Sequence, residues 1–494
     1  MCRFLLRRRS AIAVLAVFLF LGWNTASICK GAEVEKPREP RSLVISGEPF
    51  CNFYTLSPDG KILVTQRMVG GRKVGNGRIG GTWQIQAWDT EKGRRLWSQP
   101  ADFFPYSSMA FSPDGKLLAC PVQFMVSDRD VSILLGDPKT GKVVRKLRKP
   151  KEAFEAGTGM YYNPQASSMT DTSVHFSPDG NLLSIVGDPD QVRTWDVSTG
   201  KFLGTVSGKQ EMLRISRFLP DNRRLVAFGS SAKIERESGG YSMSGGECHD
   251  FFLHVWDVKA LREEVKFKMK DLPYISLAIN REAFSPDKRL FAYFAVKNSP
   301  DKKSKVDFLL LVCDTMTGKV KHSFPVDYSN LIFFSDDQKT LFKVGYQNYH
   351  LEVDAIDIEA GKIRRVLDKT LSDKKGTVFE PVNISPDRKL LAVGIADHVI
   401  KLYDTKTWKE RASLQGPKDR FVIYSHTFSM PLVHQGPNDR GFALQFSQDG
   451  SHLVSVGAFG TSRPKEGLVG VTKATVWDLK SYLEEGTAEK AEKK

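Results

Sequence analysis

The densest run of potential ligands in this chain is Glu247-Cys248-His249-Asp250, at the end of a Gly/Ser-rich stretch. A thiol beside an imidazole and two carboxylates can bind a metal ion or hold a nucleophile next to a base. Either chemistry needs partners from elsewhere in the fold; the other reading is a polar loop returning to a strand. The nine histidines include no His-Glu-x-x-His and no other metal-ligand spacing, so no metal site is expected. Gly240-Tyr241-Ser242-Met243-Ser244 matches a nucleophile elbow except at its last residue, and it sits in a loop rather than a strand-to-helix turn. Gly75-x-Gly77-x-x-Gly80 has the glycine spacing of a dinucleotide fingerprint, which requires a strand before it and a helix after it. A strand-like segment follows instead, so no cofactor is expected. Asn383-Ile384-Ser385 is a formal glycosylation sequon that runs into a turn. No catalytic residue is assigned.

Two other segments suit binding. Gln66 to Thr82 holds Arg67, Arg72, Lys73 and Arg78 with no acid, among six glycines. It reads as a mobile, positively charged loop for an anionic partner. Tyr424 to Asn438 carries His426, Phe428, Met430, Pro431 and His434. Such side chains on a loop form a contact patch, or else tuck against the body of the protein.

The ends of the chain are set apart. Arg3, Arg7, Arg8 and Arg9 precede an apolar stretch from Ala11 to Trp23 and small residues at Thr25, Ala26 and Ser27. That is the layout of a secretory signal peptide within residues 1–32, and the stretch is short for a bilayer span. Cys29 invites a lipoprotein reading, but bulky Ile28 precedes it. The localisation implied is exported: periplasmic, cell-envelope or secreted. Beyond the signal, 67 basic residues face 57 acidic ones, of 72 and 57 in the whole chain. A basic exported protein suits an acidic protein or an anionic polymer. A lysine-biased solvated surface is the alternative, since no basic stripe with interleaved aromatics suggests sequence-specific nucleic-acid binding. Cys51, Cys120, Cys248 and Cys313 lie far apart and form no disulfide framework; Cys51, Cys120 and Cys313 read as buried free thiols.

What must position any of these groups is a repeat. A turn signal recurs eight times: LSPDG (56–60), FSPDG (111–115), FSPDG (176–180), FLPDN (218–222), FSPDK (284–288), FFSDDQ (333–338), ISPDR (384–388) and FSQDG (446–450). Each is followed by an apolar-Asp pair: Trp88-Asp89, Gly136-Asp137, Trp195-Asp196, Trp256-Asp257, Cys313-Asp314, Ile356-Asp357, Tyr403-Asp404 and Trp477-Asp478. Glycine lies four residues after that Asp in five repeats; Leu261, Trp408 and Tyr482 take its place in the others, so those three turns are expected to differ. Between the signals lie short alternating or apolar runs. In residues 174–206 they predict a four-stranded antiparallel meander. Regular repetition of such a unit marks a radial or stacked array.

These signals, with Thr140-Gly141-Lys142, Thr199-Gly200-Lys201 and Thr317-Gly318-Lys319, make residues 42–482 resemble the WD-repeat β-propeller family. The Gly-His dipeptide that opens typical repeats is missing, so the family's buried Asp–His–Ser/Thr–Trp network is not expected and packing between blades must supply rigidity. The predicted fold is all-β: one eight-bladed propeller, with a charged tail at 483–494. Only three strands of the last blade lie at the C-terminus, so residues 42–46 are predicted to supply its fourth. The long insertions, 66–82, 121–130, 148–173, 229–250, 297–306, 414–441 and 457–473, all map to one face. The function implied is a non-catalytic exported scaffold binding a protein or polyanion there. The alternative is a propeller hydrolase or lyase with residues converging on the channel mouth.

Overall fold

The computed structural model describes residues 40–483, apart from 47–52, 75–77, 102–108, 124–130, 149–172, 189–190, 209–210, 232–233, 238–239, 244–250, 270–282, 298–306, 328, 330, 348, 373–381, 396–398, 417–441 and 464–466. The signal segment, Cys51, Cys248 and the tail beyond 483 lie outside the described residues. The chain divides into a large unit, Glu39–Lys480, and a second made of Met1–Arg38 and Ser481–Lys494.

The large unit is an eight-bladed β-propeller. Eight four-stranded antiparallel sheets follow one another along the chain, each paired in simple order from its first strand to its fourth. The third blade shows why the sequence folds this way. Its strands are Ser173–Phe176, Leu182–Asp188, Gln191–Asp196 and Phe202–Ser207. Ser184 lies opposite Thr194, and their hydroxyls meet at 2.8 Å. Ser177 begins the turn between the first two strands. Its hydroxyl donates to Asp179 Oδ1 (2.5 Å) and accepts from the Leu182 amide (2.9 Å), while the Gly180 amide donates to the Ser177 carbonyl (2.8 Å). The same serine–aspartate clamp closes the turns at Ser57/Asp59, Ser112/Asp114, Ser285/Asp287, Ser335/Asp337, Ser385/Asp387 and Ser447/Asp449. The fourth blade has Leu219 instead, and Asp221 there takes the Arg223 and Arg224 amides directly.

The turn between the third and fourth strands is equally regular. The Asp196 carboxylate accepts from the Thr199 amide (2.8 Å), and the Gly200 amide donates to the Asp196 carbonyl (2.9 Å). Leu261 and Trp408 were expected to change this turn, but the backbone conformation is kept at both and the closing amide bond is kept at Trp408. Both take the left-handed backbone of the glycines, at φ 52° and 56°, and the Trp408 amide still reaches the Asp404 carbonyl at 2.7 Å. A side chain there costs roughly 1–2 kcal/mol. Packing on the neighbouring blade offsets it: Trp408 meets Phe342 edge-on at 5.0 Å, and Leu261 lies over Gly204, where a Cβ would fall 2.3 Å from Leu261 Cδ1. At Tyr482 the chain does differ, with one helical turn over residues 479–483.

Rigidity comes from between the blades, as the missing Gly-His implied. Seven apolar clusters each join two neighbouring blades, from Ile62, Val64, Ala87, Leu118 and Cys120 between the first and second to Phe342, Val344, Leu391 and Tyr403 between the sixth and seventh. Between the seventh and eighth, Asn383 Nδ2 donates to the Leu444 carbonyl (2.8 Å). Three of the four tryptophans in the apolar-Asp pairs find separate partners, while Trp477 Nε1 is buried without a hydrogen-bond partner among the described residues. Trp88 Nε1 donates to Thr65 Oγ1, Trp195 Nε1 to the Arg148 carbonyl of the preceding blade, and Trp256 stacks on His254 at 4.7 Å. Cys120 and Cys313 are buried free thiols, as expected; burial pushes them up to about 12 and about 11.

The ring closes as predicted. Arg41–Ser46 pairs antiparallel with Gly467–Asp478, with Leu43 opposite Ala474. Leu43 is 1% exposed and packs with Leu56, Leu63 and Trp88 of the first blade and Val454 and Val476 of the last.

Two outcomes follow. Deleting residues 41–46 bares the edge of Gly467–Asp478, and Leu43→Ala alone should cost about 2–4 kcal/mol. Thermal unfolding should shift well down and broaden in the deletion; an unchanged transition would contradict closure by this strand. The turn carboxylates set an acid limit. Hydrogen bonds from the Ser112, Ser198 and Ser335 hydroxyls hold Asp114, Asp196 and Asp337 below the ordinary carboxylate range. Their folded values are depressed, so their contribution is present above the unfolded value near ~4 and is lost as pH falls through the folded values. Stability followed by denaturant melts should decline gently from about pH 7 to 5, where the unfolded chain protonates the His175 that the fold keeps neutral, and steeply below about pH 4.

Candidate functional site

The inner strands of the eight blades end together on the face that carries both kinds of tight turn. The fourth residue of each first turn has positive φ, and these positions encircle that end of the inner strands: Gly60, Gly115, Gly180, Asn222, Lys288, Gln338, Arg388 and Gly450. Four consecutive blades, the fourth to the seventh, therefore place a side chain where the others place glycine. Asn tolerates this backbone; Lys288 (φ 58°), Gln338 (62°) and Arg388 (61°) hold it against a steric cost. Thr315 Oγ1 clamps the Lys288 carbonyl at 2.7 Å, and Thr405 Oγ1 clamps that of Arg388 at 2.6 Å.

These side chains reach across blades. Asn222 Oδ1 accepts from the Asp179 amide of the third blade (2.8 Å). Arg388 crosses two boundaries: Nη1 donates to the Phe334 carbonyl of the sixth blade (2.9 Å) and Nη2 to the Phe284 carbonyl of the fifth (3.1 Å). Lys288 Nζ stands 5.5 Å over the ring of the same Phe284. From the fourth blade's inner strand, Glu211–Phe218, Arg217 places Nη1 3.0 Å from His175 Nε2 of the third. Three cations and a histidine from four blades thus converge.

Their electrostatics agree. Burial, then the positive charges of Arg388 and Arg217, lower Lys288 to about 8. Burial, then Arg217, hold His175 well below its usual value, so it is neutral and Nε2 accepts from the guanidinium. Burial also lowers Arg388, against the pull of Asp336. Among the described residues, the two charges that act on Lys288 are both positive. The group offers charge and N–H donors to an anion.

The residues singled out from sequence lie elsewhere. Arg67, Arg72 and Lys73 belong to the strand Ile62–Val74, and Arg78 begins the strand Arg78–Asp89. The expected loop is instead a β-ribbon. Arg67 pairs with Gln84, Arg72 with Gly80, Lys73 with Ile79 and Val74 with Arg78. Val69, Val74, Ile79 and Thr82 favour extended pairing, and the two-glycine step at 70–71 is absorbed as a bulge. Of the dinucleotide-like glycines, Gly80 lies in the strand Arg78–Asp89, with no helix after it; Gly75 and Gly77 lie outside the described residues. Gly240–Met243 pairs with Ile234–Glu237 in a second ribbon, so Ser242 sits in a hairpin strand. The last blade extends likewise, with His452–Arg463 paired to Gly467–Asp478. His426, Phe428, Met430, His434 and the Glu247–Asp250 run lie outside the described residues. Asn383 of the sequon uses its side-chain amide to bond the Leu444 carbonyl of the next blade.

Sequence reasoning assigned the FSPDK and ISPDR variants to turn geometry alone; a charged residue in a glycine slot was the signal available. His350, Glu352 and Asp368 form a cluster that was also missed. Their ligand atoms lie within 4.8 Å of one another, but Arg365 binds both carboxylates, at 3.0 and 3.1 Å, which makes this an ion-pair network.

The class that the fold defines is the β-propeller. No family model matches the chain, and no curated protein does. Many solved chains share the fold. One, described as "Structure of Dos1 propeller", superposes with a TM-score of 0.53 at 12% identity, covering 91% of this chain and 97% of its own. At that identity the likeness shows the fold alone.

Arg388 ties three blades together, so Arg388→Met should free two buried carbonyls. A loss of roughly 2–4 kcal/mol in denaturant melts is expected; a loss below about 0.5 kcal/mol would show that these bonds are not made.

Proposed function

We propose that this protein is an exported, non-catalytic scaffold of WD-repeat type, whose partner docks on the face opposite the tight turns. The carrying observation is the set of β-ribbons. Connections between second and third strands leave each sheet at that end, and in the first, fourth and eighth blades they continue as paired strands. The first and eighth blades are neighbours across the ring closure. Paired ribbons on a rigid ring hold their contacts at fixed separations, so binding costs less ordering than with free loops. Arg67, Arg72, Lys73 and Arg78 lie on one such ribbon, and they favour an acidic protein surface or an anionic polymer. The Tyr424–Asn438 segment, with His426, Phe428, Met430 and His434, lies outside the described residues, in the sequence between the strands Glu410–Gln415 and Phe442–Phe446, and is proposed as a second part of the docking surface. The N-terminal basic and apolar layout supports export. No helix among the described residues is long and apolar enough to cross a membrane.

The enzyme reading has one observation in its favour: perturbed Lys288 and His175 at the end of the inner strands. The charges that shift them are cationic, which suits binding better than acid–base catalysis.

The test joins Met68 to Trp83, which are register partners, through Asn-Gly, so that the hairpin closes without its extension. The mature protein and this variant are used to capture species from the native cell envelope. The variant should lose the main captured species, and Arg72→Ser/Lys73→Ser/Arg78→Ser should lose those whose capture falls with added salt. Identical captures from all three would sink the role of this ribbon.

A further inference from the structure

We propose that the arc of side chains from the fourth to the seventh blade, centred on Lys288 with Arg217 and Arg388 beside it, is a binding site for a phosphate group. The site lies on the tight-turn face, so it stands apart from the ribbon-face docking and does not depend on it.

Three observations carry the proposal. The first is strain. Four of the eight equivalent turns use glycine and one uses asparagine, residues for which positive φ is ordinary; Lys288, Gln338 and Arg388 occupy it in three successive blades. Glycine would serve the turn better at each, so these side chains are held for something other than the turn. The second is convergence. The Phe284 ring lies beneath Lys288 Nζ, and its carbonyl accepts from Arg388 Nη2. Arg217 approaches from the other side, held by neutral His175. The third is that, among the described residues, no negative charge acts on Lys288. Arg217 and Arg388 act on it with like charge. Asp287, next in sequence, is turned to the Ser285 hydroxyl and the Arg289 amide, and Asp336 acts on Arg388. A compact oxyanion of more than one negative charge relieves this crowding. Guanidinium and ammonium donors are the groups that bind phosphate. Arg388, with two N–H groups spent on carbonyls, supplies charge and fixes the frame; Lys288 and Arg217 supply the direct contacts.

The experiment is calorimetric titration of the mature protein with inorganic phosphate and, separately, glycerol phosphate at low ionic strength near pH 7. One site per chain is expected. Binding should weaken at least tenfold in Lys288→Gly and in Arg217→Gln, and persist in Lys288→Arg. Lys288→Gly should also melt, without phosphate, no lower than the parent, because it removes strain and like-charge crowding together. In the parent, affinity should fall as pH rises past about 8, where Lys288 loses its proton; in Lys288→Arg it should fall less. Equal affinity for the monoester would identify a phosphate carried on a larger molecule; preference for the inorganic ion would identify free phosphate. Absence of binding at millimolar phosphate, undiminished binding in Lys288→Gly, or a clear drop in its melting temperature would overturn the proposal.

Discussion

The ring depends on a buried hydroxyl. Ser57, Ser177, Ser285 and Ser447 are each 0–1% exposed. A buried hydroxyl is tolerated only when its hydrogen bonds are made. Each serine makes them within its own turn, to an aspartate two residues on and an amide five residues on. That closes the first two strands at a fixed register. The stitching extends to the third strand, whose following residue donates its amide to the same turn, as Thr90 does to the Lys61 carbonyl and Val197 to that of Asn181. Both tight turns of a blade therefore lock at one face. Local chemistry alone determines the geometry of that face, blade after blade.

That over-determination lets the face carry strain. A lysine or arginine at positive φ would relax a free loop into another conformation. Here the carbonyl on one side is held by threonine and the preceding serine–aspartate clamp holds the other. The cost is absorbed by a framework in which most other bonds are satisfied. The opposite face is built differently. Among the described residues its connections share no turn chemistry, and its ribbons each have their own length and sequence. One face is conserved in geometry from blade to blade and varied by single side chains; the other is varied wholesale.

This division explains what was legible in the residues. Strand order, blade count and the contribution of Arg41–Ser46 to the last blade follow from signals that act locally, so they could be read directly. Two readings failed for one reason. At Leu261 and Trp408, glycine was taken as the requirement, when the requirement is a left-handed backbone that packing can also enforce. At Gln66–Thr82, glycine density was taken as mobility, when valine, isoleucine and threonine between the glycines were enough for pairing. Arg217, His175, Lys288 and Arg388 span more than 200 positions; only closure of the ring brings them together, and no local pattern encodes that.

The pairing of Leu261 with Gly204 shows how an imperfect repeat remains a closed ring. Elsewhere a turn glycine faces a large side chain on the preceding blade's outer strand: Gly141 faces Trp97, Gly200 faces Arg145 and Gly318 faces Phe267. Between the third and fourth blades the sizes are exchanged, with leucine on the turn and glycine on the strand. The volume at the interface is conserved although neither residue is. Close packing makes that volume the quantity under constraint, because a gap at any one boundary would have to be taken up by the other seven for the circle to close. The same reasoning places the ring-closing strand under tight constraint. A Cβ added at Gly93 would lie 3.6 Å from Leu43 Cδ2, so a strand from the far end of the chain meets the size rule that the outer strands of the first, second, fourth and fifth blades obey.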